Sequence, residues 1–266
     1  MQALYRNHMG NDLEVVRDAR ISFDSSSDAL EWRNQTIPHT EPGYTDQVPV
    51  PVLAGRDYKL IRFLARGCRF EQWDQAVTAL QGGDLAPGEI DTLLRWVKRM
   101  PTYWTPFAHQ MVKLRMKAPI PIRTQCFKSK QGFVENEESR RYIDSTPELF
   151  VPEFRVRPEG SIKQGSGGIH PDNAYWQGRY RAGCDIAIHE YERMIQEGIA
   201  PEQARFVLPQ GVYVNWVWTG SLYAYAEFCN KRSDRGHAQG EIADLAQEID
   251  QILRVLYPAS WKALTE

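Results

Sequence analysis

Long apolar runs and one-sided charge are both missing from this chain of 266 residues. No stretch approaches the roughly 20 apolar residues of a bilayer-spanning helix, so no membrane partner is expected. Lys and Arg number 32 against 34 Asp and Glu, a formal net charge of -2. A nucleic-acid coat or a polybasic membrane binder is usually more lopsided, so neither is expected. Cysteine is scarce: Cys68, Cys126, Cys184 and Cys229 stand far apart, with no Cys-x-x-Cys pair. That spacing excludes a zinc knuckle and a redox dithiol and leaves buried free thiols in a reducing compartment. The histidines show no metal-ligand spacing, so no metal site is expected. The opening MQALYRNHMGNDLEVV lacks a basic region followed by an apolar one. No secretory signal is expected there, and the cytoplasm is the expected compartment. Internal repeats and low-complexity tracts are also absent.

What is present is an ordinary globular composition, 42% hydrophobic and 25% charged, on a chain long enough for one large or two small domains. Leu13 to Phe23 reads as strand, helix or both in turn. Thr36 to Pro51, with four prolines, reads as a loop or lid. Asp57 is expected to cap a helix carrying Leu60, Ile61, Phe63 and Leu64, and further helices are expected over Glu71 to Leu80 and after Pro87. Gln110 to Met116 alternates, with Val112, Leu114 and Met116 on one side and Lys113 and Arg115 on the other, which predicts a half-buried strand. Tyr142 to Gly168 reads as a long surface excursion. Tyr180, Cys184, Ile188, Tyr191 and Ile195 mark a helix stripe that Gly198 can end, and Pro201 starts the next segment. Val212 to Lys231 is expected as one long apolar helix interrupted by Gly220, its surface buried in a core or a subunit interface. A last helix carries Ile242, Leu245, Ile249, Ile252 and Leu256 and stops at Pro258.

The densest set of ligand-type side chains lies in residues 125–142, QCFKSKQGFVENEESRRY. Lys128, Lys130, Arg140 and Arg141 stand beside Gln125, Glu137, Glu138 and Ser139, directly after the strand-like run. A guanidinium fork matches phosphate oxygens and an ammonium adds a point charge, so the cluster suits a phosphate. The alternative is a charged surface loop. Cys126, read in an alternating run beside Phe127, has no neighbouring His to lower its pKa and is a poor nucleophile.

The cluster resembles a signature of the flavin-dependent thymidylate synthases. Asn136 to Tyr142, Asn-Glu-Glu-Ser-Arg-Arg-Tyr, matches the second half of their motif, while Lys128-Ser129-Lys130 stands where they carry Arg-His-Arg. Met9 to Asp12 and Ala19 to Phe23, Thr105 to His109, Glu202 to Pro209, and Arg232 with His237 to Gln239 and Glu241 are similar to other family segments in the right order. Residues 67–102 resemble an insertion of the kind seen in the bacteriophage branch. The resemblance implies a single α/β (α+β) domain over residues 1–266, a mixed sheet flanked by helices, and a homotetramer. It further implies reductive methylation of dUMP to dTMP, with methylenetetrahydrofolate as carbon donor, FAD as hydride relay and NADPH as reductant. By position, Gln125, Glu137, Glu138, Ser139, Arg140, Arg141, Arg205 and Arg232 are implied at dUMP, with Arg232 stabilising charge on the uracil ring. Thr105, Lys128, Ser129, Lys130, Glu137, Ser221, Tyr223 and Glu227 are implied at FAD.

The departures fall on the flavin side. Lys-Ser-Lys lacks forked donors and a histidine. Tyr103 stands where the family often has a histidine, and Ser221, Tyr223 and Glu227 replace Asn, Arg and Asn around the FAD adenosine. One extra residue separates Arg232 from His237, which makes Arg235 the substitute for Arg232. These changes keep two alternatives open: a pyrimidine nucleotide hydroxymethylase on the same fold, and a non-catalytic nucleotide-binding homologue.

Overall fold

The alternating residues around Leu114 form the central strand of a computed structural model that describes residues 1–67, 78, 81–82, 88–91, 103–158, 166–233 and 238–266. Strand β4, Met111–Pro119, buries Val112, Leu114 and Met116 and exposes Lys113 and Arg115, as its period of two predicts. It pairs with β1, Gln2–Met9, on one side and β6, Tyr213–Ser221, on the other; β5, Phe133–Glu137, adds to the far edge of β6. Every pairing in this β1-β4-β6-β5 sheet is antiparallel. The expectation of a mixed sheet is thus corrected, since each strand lies beside one that runs the other way.

A second correction concerns Val212 to Lys231. The segment is a strand followed by a helix, β6 and then α7, Leu222–Arg232. Val214, Trp216 and Trp218 are buried while Tyr213, Asn215, Val217 and Thr219 are half-buried, so the side chains alternate. Its β-branched and aromatic residues suit a pleated surface. Ser221 ends the strand and caps the helix, its Oγ accepting from Ala224 N at 3.2 Å.

The remaining elements wrap this sheet. Helix α1, Asp12–Arg20, fills the mixed Leu13 to Phe23 segment and passes into a 3₁₀ turn at Ile21–Phe23. The region read as a loop holds a strand: β2, Glu31–Thr36, pairs antiparallel with β3, Gln47–Val52. Two strands offer only edges, which is where Pro49 and Pro51 can sit without breaking a ladder. Helix α2 spans Gly55–Leu64, and Asp57 lies inside it rather than at its cap. There Asp57 is fully buried and accepts from Arg20 at 2.7 Å and Ser27 at 2.9 Å, which ties α1 to α2.

Helix α3 is Thr105–Ala108, and α4, Ile120–Cys126, follows β4 directly. Cys126 therefore ends a short helix, not an alternating run. Helix α5, Asn173–Gln196, buries Cys184, Ile188 and Tyr191 and ends before Gly198, whose φ of +84° only glycine adopts readily. Helix α6 is Pro201–Ala204, α8 is Gly240–Leu256, and a further helix, α9, spans Pro258–Thr265 beyond the expected stop at Pro258. Asp12 caps α9, accepting from Ala259 N at 2.7 Å and Ser260 N at 2.9 Å. The helices expected over Glu71 to Leu80 and after Pro87 lie almost wholly outside the described residues, as do Cys68, Arg235 and His237.

Candidate functional site

Gly132 sets the geometry of the site. Its φ is +75°, and a Cβ there would meet the Ala224 side chain at 2.9 Å and Ser221 Oγ at 3.0 Å. The turn before β5 therefore lies directly on the start of α7, fixed by a bond from Ser221 N to Gly132 O of 3.0 Å. This close approach holds Lys128, Ser129, Lys130 and Gln131 over one face of the helix. Tyr223, Glu227 and Lys231 recur every four residues along α7 and so share that face. Between turn and helix opens a cavity of about 1100 Å³, closed on a third side by Trp104, Ala108 and Met111 and floored by Phe133, Ala224 and Phe228. Arg232, in the last turn of α7, stands at its rim, where a cation suits the helix dipole.

Aromatic rings and cations divide the walls. Trp104 and Tyr223 face each other with centroids 5.7 Å apart and planes inclined by 34°. Lys130 is ion-paired with Glu135 and lies 5.2 Å from the Phe127 ring centroid, and Lys231 pairs with Glu227 at 2.8 Å. Lys128 meets no carboxylate among the described residues. Among the described residues, the cavity thus offers one ammonium with no carboxylate partner, two held by carboxylates, and flat apolar surface.

Of the residues implied at FAD, Lys128, Ser129, Lys130, Ser221, Tyr223 and Glu227 line this one cavity. Thr105 and Glu137 do not line it; Thr105 stands beside Trp104, which does. Arg232 lines it as well. The other residues implied at dUMP are spread outside. Gln125 Nε2 donates to Gln239 Oε1 at 2.7 Å. Glu137 faces Arg123 at 3.0 Å; burial raises its pKa and Arg123 opposes that rise. Glu138 accepts from Asn215 at 3.0 Å. Ser139 Oγ accepts from Arg141 Nε at 3.2 Å, Arg140 donates to Ser145 O at 2.5 Å, and Arg205 donates to Glu202 O at 3.2 Å. Ser139 is therefore an orienting acceptor for Arg141 in this arrangement. Cys126 is buried, and burial pushes its thiol up to about 12 despite the nearby Arg232. A thiol so protonated is no nucleophile at neutral pH.

Sequence reasoning passed over Trp104 and Arg123. Trp104 carried a signal, an aromatic residue directly before Thr105-Pro106 at a helix start. Arg123 carried none, because its partner Glu137 is fourteen residues away across a turn.

A family profile described as "Thymidylate synthase complementing protein" (Thy1) matches residues 52–259. Flavin-dependent thymidylate synthase of Thermotoga neapolitana is 31% identical over 261 residues, covering 96% of this chain and 86% of that protein. The enzyme of the same name from Kosmotoga olearia is 28% identical over 191 residues, 71% of this chain and 82% of its own. Among solved structures, a UMP/dUMP methylase, PolB from Streptomyces cacaoi bound with 5-Br dUMP, superposes with a TM-score of 0.68 at 22% identity. It covers 99% of this chain and 94% of that one, and so shares its fold.

Proposed function

The chain belongs to the Thymidylate synthase complementing protein (Thy1) family, and from that membership we propose that it methylates dUMP to dTMP. The reaction takes its carbon from methylenetetrahydrofolate and its reducing equivalents from NADPH, and FAD, when bound, supplies the hydride relay. The observation that carries this reading is the convergence of the Lys-Ser-Lys turn, Ser221, Tyr223 and Glu227 on one cavity that Arg232 also borders.

The residues fit a dinucleotide flavin. Trp104 and Tyr223 present aromatic faces to a flat ring. Lys128 supplies a point charge for a pyrophosphate, and Lys130 supplies a second once it releases Glu135. Ammonium groups replace the forked donors of relatives, so retention through purification is weaker than a bidentate arginine would give. Arg232 holds a fixed positive charge where electron density builds on the uracil ring and its carbonyl, which favours attack from C5. Arg141, oriented by Ser139, and Arg205 hold the phosphate or ribose and act on ground and transition state alike.

Unlike Arg232, Arg141 and Arg205 lie outside the cavity of their own protomer. Together with exposed Tyr142, Ile186 and Phe206, that favours a homotetramer in which a second copy completes the site. The test is a titration with FAD followed by flavin fluorescence, then release of tritium from C5-labelled dUMP. Saturable binding and folate-dependent release are expected. No saturable signal at millimolar FAD would remove the cofactor from the reading.

A further inference from the structure

Near its middle, the excursion between Tyr142 and Gly168 is held by a short ladder. Phe154 N donates to Asn173 Oδ1 and His170 N to Phe154 O, both at 2.8 Å. Val156 N donates to Gly168 O, and Gly167 N to Val156 O, both at 2.9 Å. Arg155 stands within this short ladder, opposite Ile169. Its backbone is held from both sides, and its side chain reaches the start of α8. There the guanidinium fills the space a side chain on Gly240 would need, since a Cβ would lie 2.6 Å from both Nη atoms. It faces Glu241 at 3.6 Å and Glu153 at 3.8 Å, with 18% of the Arg155 side chain exposed. A cation at the amino end of a helix opposes the helix dipole. The arrangement therefore depends on the two carboxylates and on the room that Gly240 leaves.

Gln239 precedes Gly240 with extended backbone, φ −61° and ψ 138°, and its side chain caps nothing in α8. It accepts instead from Gln125 Nε2. Fixing Gly240 and Glu241 fixes the direction in which Gln239 leaves the helix. Gln239 in turn commits one N–H of Gln125, so the remaining N–H and the carbonyl of that amide point in one defined direction.

We propose that Arg155 is a positioning residue for nucleotide binding. Through Gly240 and Glu241 it sets Gln239, and Gln239 sets the amide that Gln125 offers to dUMP. The role presupposes that Gln125 contacts dUMP, as the functional reading holds.

The experiment measures the dUMP dissociation constant by calorimetry and the thermal midpoint for the unaltered protein, Arg155→Ala, Arg155→Lys, Gly240→Ala, Gln125→Ala and the Arg155→Ala/Gln125→Ala double variant. Arg155→Ala is expected to weaken dUMP about tenfold, Arg155→Lys to restore part of that loss, and the double variant to bind no worse than Gln125→Ala alone, because coupled residues are non-additive. Gly240→Ala displaces the guanidinium without removing it, so it tests the same role if Arg155→Ala does not fold. Its expected result is weaker dUMP binding with a thermal midpoint close to that of the unaltered protein. Binding within twofold of normal in Arg155→Ala and Gly240→Ala, or losses that multiply in the double variant, would overturn the positioning role alone. If the unaltered protein does not bind dUMP, the nucleotide reading itself is overturned and this role falls with it.

Discussion

Trp104 and Tyr223, 119 positions apart in sequence, pack against each other at 5.7 Å in the lining of the cavity. One ring comes from the segment before α3 and the other from the first turn of α7, so neither element alone makes the wall. Trp104→Ala is expected to weaken FAD by about fivefold, on the order of 1 kcal/mol for one lost aromatic contact. Flavin fluorescence titration checks it, and an unchanged dissociation constant would place the flat ring elsewhere.

Arg232→Ala should remove turnover far more than nucleotide binding. Loss of a preorganised donor to developing charge costs on the order of 3 kcal/mol in the barrier, about a hundredfold in rate. Arg141→Ala should do the reverse, weakening dUMP with little change in the rate at saturation. Calorimetry beside tritium release separates the two. Normal turnover in Arg232→Ala together with normal binding in Arg141→Ala would overturn both assignments.

Gly220→Ala tests the correction from helix to strand. A Cβ at Gly220 would lie 2.3 Å from Phe133 Cε1 and 3.0 Å from Tyr225 Cε2. Phe133 is itself stacked on Trp218, with centroids 4.2 Å apart and planes 14° apart, so it has little room to yield. Overpacking of this kind costs about 2 kcal/mol. A lowered denaturant midpoint is expected. In a helix, the same change would raise the midpoint.

Glu41 gives a pH-dependent test. It accepts from Arg6 and, at 3.1 Å, from Arg115, and its side chain is 11% exposed. The Arg6 bond first, then Arg115, hold the carboxyl below its ordinary value of 4.5, against the opposing effect of burial. A depressed folded pKa stabilises above the unfolded value and loses that contribution as pH falls through the folded one. Glu41→Gln is therefore expected to cost about 2 kcal/mol at neutral pH. The gap between the two proteins should close as pH drops below 4.5. Denaturation curves across that range check it, and a gap independent of pH would show that the charge is immaterial.

Local pattern determined much of this protein. The alternation around Leu114 is a strand because period two suffices to bury one face. The stripe from Tyr180 to Ile195 is a helix because its spacing places Cys184, Ile188 and Tyr191 on one side. The ordered motifs named the family, and of the residues they implied at FAD, Lys128, Ser129, Lys130, Ser221, Tyr223 and Glu227 line one cavity while Thr105 and Glu137 do not. Tertiary structure decided the rest. Val212 to Lys231 is apolar enough to satisfy either period, and only pairing with β4 and β5 selects a strand up to Ser221. Asp57 has the residue type of a cap but is buried against Arg20, a partner 37 positions away that no local pattern announces. Trp104 joined the cavity, and Arg155 reached Gly240, for the same reason. Contacts between distant segments are fixed by how the elements pack, and packing depends on all of the chain at once.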